Sequence, residues 1–111
     1  VAAQIPPHRG LTGLSQGLNP FSVFAGSATL PVAAIPRARV IDDTRGVLKA
    51  VVDADSDLIL GVSLLSPDSH EMVNIVKTAM DAGLPYTVLR DQIFTHPTMS
   101  ESLNDLFALI K

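Results

Sequence analysis

Val47-Leu48-Lys49-Ala50-Val51-Val52-Asp53-Ala54-Asp55-Ser56-Asp57-Leu58-Ile59-Leu60-Gly61-Val62-Ser63-Leu64-Leu65 decides the fold class of this 111-residue chain. Two runs rich in β-branched and aliphatic side chains, Val47–Asp53 and Leu58–Leu65, flank Ala54-Asp55-Ser56-Asp57. A polar connection of that length closes a hairpin. Within the first run Leu48, Ala50 and Val52 share one parity, and Lys49 and Asp53 share the other. Side chains alternate across a strand, so the hairpin is predicted to have one dry face and one wet face.

Upstream, Thr29-Leu30-Pro31-Val32-Ala33-Ala34-Ile35 reads as extended, and Pro31 and Pro36 place it at an edge because neither donates to a ladder. Asp42-Asp43-Thr44-Arg45-Gly46 is turn chemistry. Residues 1–29 hold four of the seven glycines, three of the eight prolines and one charged residue, Arg9. That punctuation forbids a helix of useful length. The expectation is a Gly/Pro-rich arm over 1–29, with Phe21, Val23 and Phe24 as its only segment fit to pair or dock, and a folded domain over 30–111.

Downstream the period changes. Pro67-Asp68-Ser69-His70-Glu71 has the form of a capping box with Asp68 as the cap, followed by Met72, Ile75, Val76, Ala79 and Met80 on one helical face, and Gly83 as the stop. Tyr86–Ile93 is predicted to be a short helix. Ser100–Ile110 is predicted to be a last one, burying Leu103, Leu106, Phe107 and Ile110. Strands followed by helices give an α+β class: an antiparallel β-sheet built round a hairpin, with two or three helices packed on one face.

Composition narrows the function. The chain is 47% hydrophobic and 17% charged, enough apolar material for a core without staples. It has no cysteine, so it supplies no redox disulfide, thiolate nucleophile or Cys-based zinc site. The net charge of −3 has the wrong sign for a nucleic-acid binder. Residues 1–41 carry three arginines and no acid, whereas 42–111 carry five basic and eleven acidic groups. Three arginines spread over that length read as solvated surface. The apolar run Leu58–Leu65 falls far short of the roughly 18 residues of a membrane span. No basic start followed by an apolar run opens the chain, so cytoplasm is the expected compartment.

Several constellations fail on inspection. Asp53-Ala54-Asp55-Ser56-Asp57 imitates the start of a calcium loop, but Leu58 stands where the glycine should be and Leu64 where the bidentate glutamate should be. His70-Glu71 lacks the second histidine of a zinc-protease helix, and His8 lies in the arm. No metal site is expected. Tyr86 and four phenylalanines are too few aromatics for a base-stacking platform.

Ile93-Phe94-Thr95-His96-Pro97-Thr98-Met99-Ser100-Glu101 is the informative stretch. Its His-Pro-Thr-x-x-Glu core follows the hairpin Gly46–Gly61 and the amphipathic helix ending Asp81-Ala82-Gly83-Leu84. Element by element, residues 30–111 resemble the C-terminal dimerisation domain of the pyridine nucleotide-disulfide oxidoreductases. Leu30–Arg39 and Met99–Leu106 look most like the mercuric-reductase-like flavoproteins linked to reactive-chlorine resistance.

The resemblance implies that His96 reaches toward the flavin and dithiol of a partner subunit, that Glu101 hydrogen-bonds the far ring nitrogen, and that the His96–Pro97 bond is cis. Both are then the catalytic pair of the domain. Thiol–disulfide exchange needs a group of near-neutral pKa to take and return a proton, and a carboxylate to orient it. Local spacing alone favours a plainer role, since Thr98-Met99-Ser100-Glu101 is itself a capping box for the last helix. The two roles are compatible because a carboxylate has several acceptor sites.

The chain also departs from the family. It has no Gly-x-Gly-x-x-Gly and no cysteine pair, so FAD and NAD(P)H are implied for the full-length family and neither is expected to bind this chain alone. By itself it is expected to be inactive. The family's opening strand and helix are not recognisable in residues 1–29, which suggests a truncated or rearranged gene product or an excised terminal domain. A missing strand would bare a sheet edge and favour association. The expected partner is a second copy or a full-length flavoprotein subunit, with no nucleic acid and no membrane. The rival functions are a stand-alone homodimeric interaction module and a small-ligand-binding domain without catalysis.

Overall fold

Four strands, β1 (Ala2–Gln4), β2 (Ala25–Pro31), β3 (Val47–Asp53) and β4 (Ile59–Leu65), make an antiparallel sheet in the order β1-β4-β3-β2. These belong to a computed structural model that describes residues 1–4 and 25–111. Four helices, α1 (Pro36–Val40), α2 (Ser69–Asp81), α3 (Tyr86–Asp91) and α4 (Ser102–Ala108), complete an α+β fold.

The hairpin β3–β4 behaves as its alternation requires. Leu48, Ala50, Val52, Val62 and Leu64 are at most 5% exposed, while Lys49, Val51 and Ser63 face solvent. Only one face therefore needs a cover. The long helix α2 lies across β4 and β1, and the terminal helix α4 lies across β2 and β3. Their apolar stripes, Met72, Val76 and Ala79 on one and Leu103, Leu106 and Phe107 on the other, complete the core. Fully burying one such side chain stabilises by roughly 1.5–3 kcal/mol, so this layer outweighs any surface ion pair.

Local chemistry fixes the corners. Asp57 adopts a left-handed φ of 62°, which Asp tolerates, and its N–H donates to Asp53 O at 2.8 Å to close the hairpin tip. The Tyr86 N–H donates to Asp57 O at 2.8 Å, tying that tip to the start of α3. A bulge shifts the pairing between Val51 and Val52, so that Val51 faces Gly61 but Val52 faces Ile59. At the end of α2, Gly83 takes φ 70° and donates to Met80 O at 3.0 Å while Leu84 donates to Ala79 O at 3.0 Å, a Schellman stop.

Several expectations need correction. Residues 1–29 are not an arm throughout: Ala2–Gln4 pairs with Gly61–Ser63 on the outer edge of β4, and β2 begins at Ala25. The edge expected to be bare is thus covered over that length. The expectations for His8 and for Phe21, Val23 and Phe24 lie outside the described residues. The extended segment at 29–35 ends at Pro31, giving way to a 3-10 turn over Val32–Ala34 and to α1, where Pro36 occupies the first turn. Proline suits that position because its missing N–H has no partner there in any helix.

Asp68 precedes α2 as expected but makes no side-chain cap, since its φ of 59° is not the extended backbone that a capping side chain uses. Its carbonyl instead accepts the N–H groups of Glu71 and Met72 at 2.9 and 3.0 Å. Regular helix at the C-terminus starts at Ser102, not Ser100.

Gly46 tests the entry to the hairpin. It has φ 117°, and a Cβ there would lie 1.9 Å from the Leu65 carbonyl oxygen. Gly46→Ala should lower stability by at least about 1–3 kcal/mol from the backbone conformation alone. The reading is a lower urea midpoint at unchanged m-value; an unchanged midpoint would contradict this approach of β4 to the turn.

Candidate functional site

The segment between α3 and α4 is held down at both ends and raised in the middle. Phe94 packs against the core and Met99 is 2% exposed, so two apolar anchors flank the stretch between them. The exposed side chains of that stretch are Thr95, His96 and Pro97, joined through a cis His96–Pro97 peptide. Ile93, just before it, is 96% exposed.

Glu101 then ties the raised loop to the incoming helix. Its Oε2 accepts the Thr98 backbone N–H at 2.8 Å, and its own backbone N–H donates to Thr98 Oγ1 at 3.2 Å. This is the reciprocal geometry of a capping box. Thr98 Oγ1 also donates to Thr95 O at 2.7 Å, fixing the backbone on the far side of the histidine.

The same carboxylate meets the imidazole. His96 Nδ1 lies 2.7 Å from Oε1 and 2.9 Å from Oε2 of Glu101. A carboxylate only accepts, so Nδ1 is the donor in this contact and Nε2 lies outside it. The histidine side chain is 66% exposed and the glutamate 20%, which puts the carboxylate beneath the ring. The Glu101 carboxyl is held below its ordinary value of 4.5, first by the hydrogen bond from His96, then by the Thr98 N–H and the imidazole charge, against opposition from partial burial. The structure thus brings His96 and Glu101 together, with the pairing and the capping contacts on one side chain.

Elsewhere the described residues offer no comparable grouping. No cluster of three or more His, Cys, Asp or Glu side chains fit to hold a metal occurs among them. Asp53, at the acidic hairpin tip, is already engaged by Ser56 Oγ at 2.8 Å and the Asp55 N–H at 3.1 Å. His70 is exposed on the first turn of α2. No described helix is long and apolar enough to cross a membrane. Asn104, whose carboxamide bonds the end of α3 to α4, shows itself in the sequence only faintly, as an amide in mid-helix where asparagine is a weak helix former.

The model of the pyridine nucleotide-disulphide oxidoreductase dimerisation domain matches residues 11–107. The chain belongs to this family. It is 76% identical over 83 residues to a probable pyridine nucleotide-disulfide oxidoreductase, RclA, of Escherichia coli K12, an alignment covering 75% of this chain and 19% of that protein. A mercuric reductase of Shigella flexneri is 35% identical over 77 residues, 69% of this chain and 14% of its own length. Among solved structures, the HOCl-induced flavoprotein disulfide reductase RclA of Escherichia coli superposes with a TM-score of 0.77 at 72% identity, covering 78% of this chain and 20% of that one. The chain therefore spans about a fifth or less of the length of these relatives.

This dimerisation-domain family serves flavin- and pyridine-nucleotide-dependent oxidoreductases. All strand pairs of the sheet are antiparallel, so among the described residues no parallel strand–helix–strand unit presents a helix N-terminus to a pyrophosphate. The sequence has no glycine fingerprint for one.

The Glu101 contacts predict a pH effect on stability. A carboxyl whose pKa is lowered on folding contributes stability above the ordinary carboxylate range and loses it as pH falls through the folded value, because the unfolded chain binds the proton first. Asp43 and Asp91 are lowered as well, each chiefly by a hydrogen bond from its arginine neighbour, so the informative quantity is a difference. Stability of the parent chain minus that of Glu101→Gln should shrink from pH 6 to pH 3, on the order of the range that titrates a carboxylate. A difference that stays constant over that range would show that Glu101 is not held ionised by these contacts.

Proposed function

We propose that this dimerisation domain lends His96, oriented by Glu101, as the acid–base group of a partner subunit's dithiol site in an FAD- and NAD(P)H-dependent disulfide oxidoreductase. The observation that carries the proposal is the exposed imidazole whose Nδ1 is 2.7 Å from a carboxylate while the ring projects from an anchored loop. A thiol that attacks a disulfide must lose its proton, and the thiolate that departs must gain one. Nε2 of a Glu-paired histidine takes the first and returns the second, while the carboxylate stabilises the imidazolium between the two events.

These 111 residues hold no cysteine, so the thiols of the proposed reaction lie outside them. A dimerisation domain implies a partner subunit of the same kind. Ile93, almost wholly exposed three residues before His96, is suited to be covered when the loop meets that partner.

Complementation tests the proposal. A full-length relative carrying flavin and dithiol, but with its own motif histidine replaced, is mixed with this chain under conditions where light scattering or cross-linking shows heterodimers. Turnover should return with the parent chain and fall by roughly 10²-fold or more with His96→Gln, the usual weight of a general acid–base group. Heterodimers without turnover would overturn the catalytic role and favour an interaction module. A chain that stays monomeric in dilute buffer and forms no heterodimer would overturn the partner assignment.

A further inference from the structure

The Nδ2 of Asn104 lies 2.9 Å from Leu89 O, 3.1 Å from Arg90 O and 2.8 Å from Gln92 O. The last carbonyls of a helix have no intrahelical partner, and here the C-terminal turn of α3 meets a side chain of α4 in place of water. An amide nitrogen carries two hydrogens, so Asn104 shares them among three acceptors in one small volume. Helix propensity does not account for asparagine at this position.

Its location gives the contact a further consequence. Gln92 is where the chain leaves α3, with φ −65° and ψ 144°, and runs directly into the loop that carries His96. The other end of that loop enters α4 at Glu101, one helical turn before Asn104. Asn104 therefore clasps the base of the loop while Thr98 and Glu101 clasp its tip. A leucine of similar volume would leave the carbonyls unpaired, and an aspartate would turn two oxygens toward them.

We infer that Asn104 is a positioning residue for the His96–Glu101 pair, acting by holding the exit of α3 at a fixed distance from the start of α4. The inference rests on the proposed role of His96, but its test does not depend on catalysis. In the full chain, the ring 15N NMR signature of an Nδ1-bound proton on His96 is recorded with and without Glu101→Gln, giving the bias that the carboxylate contact imposes on the ring. The same pair of measurements is made in the Asn104→Ala and Asn104→Ser backgrounds, forming double-mutant cycles.

The Glu101→Gln effect should fall to less than half in Asn104→Ala and to an intermediate value in Asn104→Ser, which keeps one donor. An unchanged effect in either folded variant would overturn the inference and leave Asn104 as a contributor to stability alone. So would failure of both variants to fold, since that would make it a residue of the fold and not of the loop. Should Glu101→Gln leave His96 unmoved in the parent chain, the His96–Glu101 pairing itself fails, an outcome distinct from the failure of Asn104.

Discussion

Glu101 sits where the backbone of an incoming helix and the imidazole of His96 call on the same two oxygens. One oxygen receives the Thr98 N–H and both lie within hydrogen-bond reach of Nδ1. Because the acceptor is ionised, these bonds are stronger than neutral ones. They also point in different directions: the bond to Thr98 fixes the carboxylate relative to the helix, and the bond to His96 then fixes the ring relative to the carboxylate. The orientation of an exposed imidazole is in this way inherited from a helix start, which is a far stiffer object than a loop.

That helix start is only as stiff as the layer beneath it. Met99, Leu103, Leu106 and Phe107 are at most 2% exposed and pack in the same core as the buried face of β2, β3 and β4. Burial of this kind is non-directional, but it sets where the backbone of α4 runs. The sheet supplies the platform, the terminal helix is pressed onto it, and the loop that carries His96 is what remains outside. The hairpin tip joins the same arrangement through the Asp57–Tyr86 bond, which anchors the start of α3 to the far end of β3 and β4.

In the proposed role this layout matters because these 111 residues hold no cysteine and no glycine fingerprint. What it can contribute to a partner is geometry and one proton. An oriented imidazole on a raised loop is suited to that task, since the ring is mostly exposed while its Nδ1 is held by the carboxylate. The neighbouring Ile93 gives the same surface an apolar element to bury on association.

The hairpin, the stripe of α2, the glycine stop at Gly83 and the pairing of fold class with a His-Pro-Thr-x-x-Glu motif were all legible in the sequence. Each depends on residues close along the chain, where spacing fixes which side chains share a face. Asp68 shows the limit of that logic: its position before α2 was readable, but its left-handed backbone, which withholds the side-chain cap, depends on how β4 hands the chain over. The strand at Ala2–Gln4 was hidden for a similar reason, because a three-residue strand has no periodicity and exists only when a neighbouring edge is there to pair with it. Asn104 is the clearest case. Its three acceptors lie twelve to fifteen residues away at the end of another helix and just past it, so no local pattern could reveal them. The sequence by itself determined the sheet-and-helix class and named the two members of the candidate pair. Only the tertiary structure decided that one carboxylate serves both contacts and that a distant amide holds the loop, because hydrogen bonds between elements require the core to pack first.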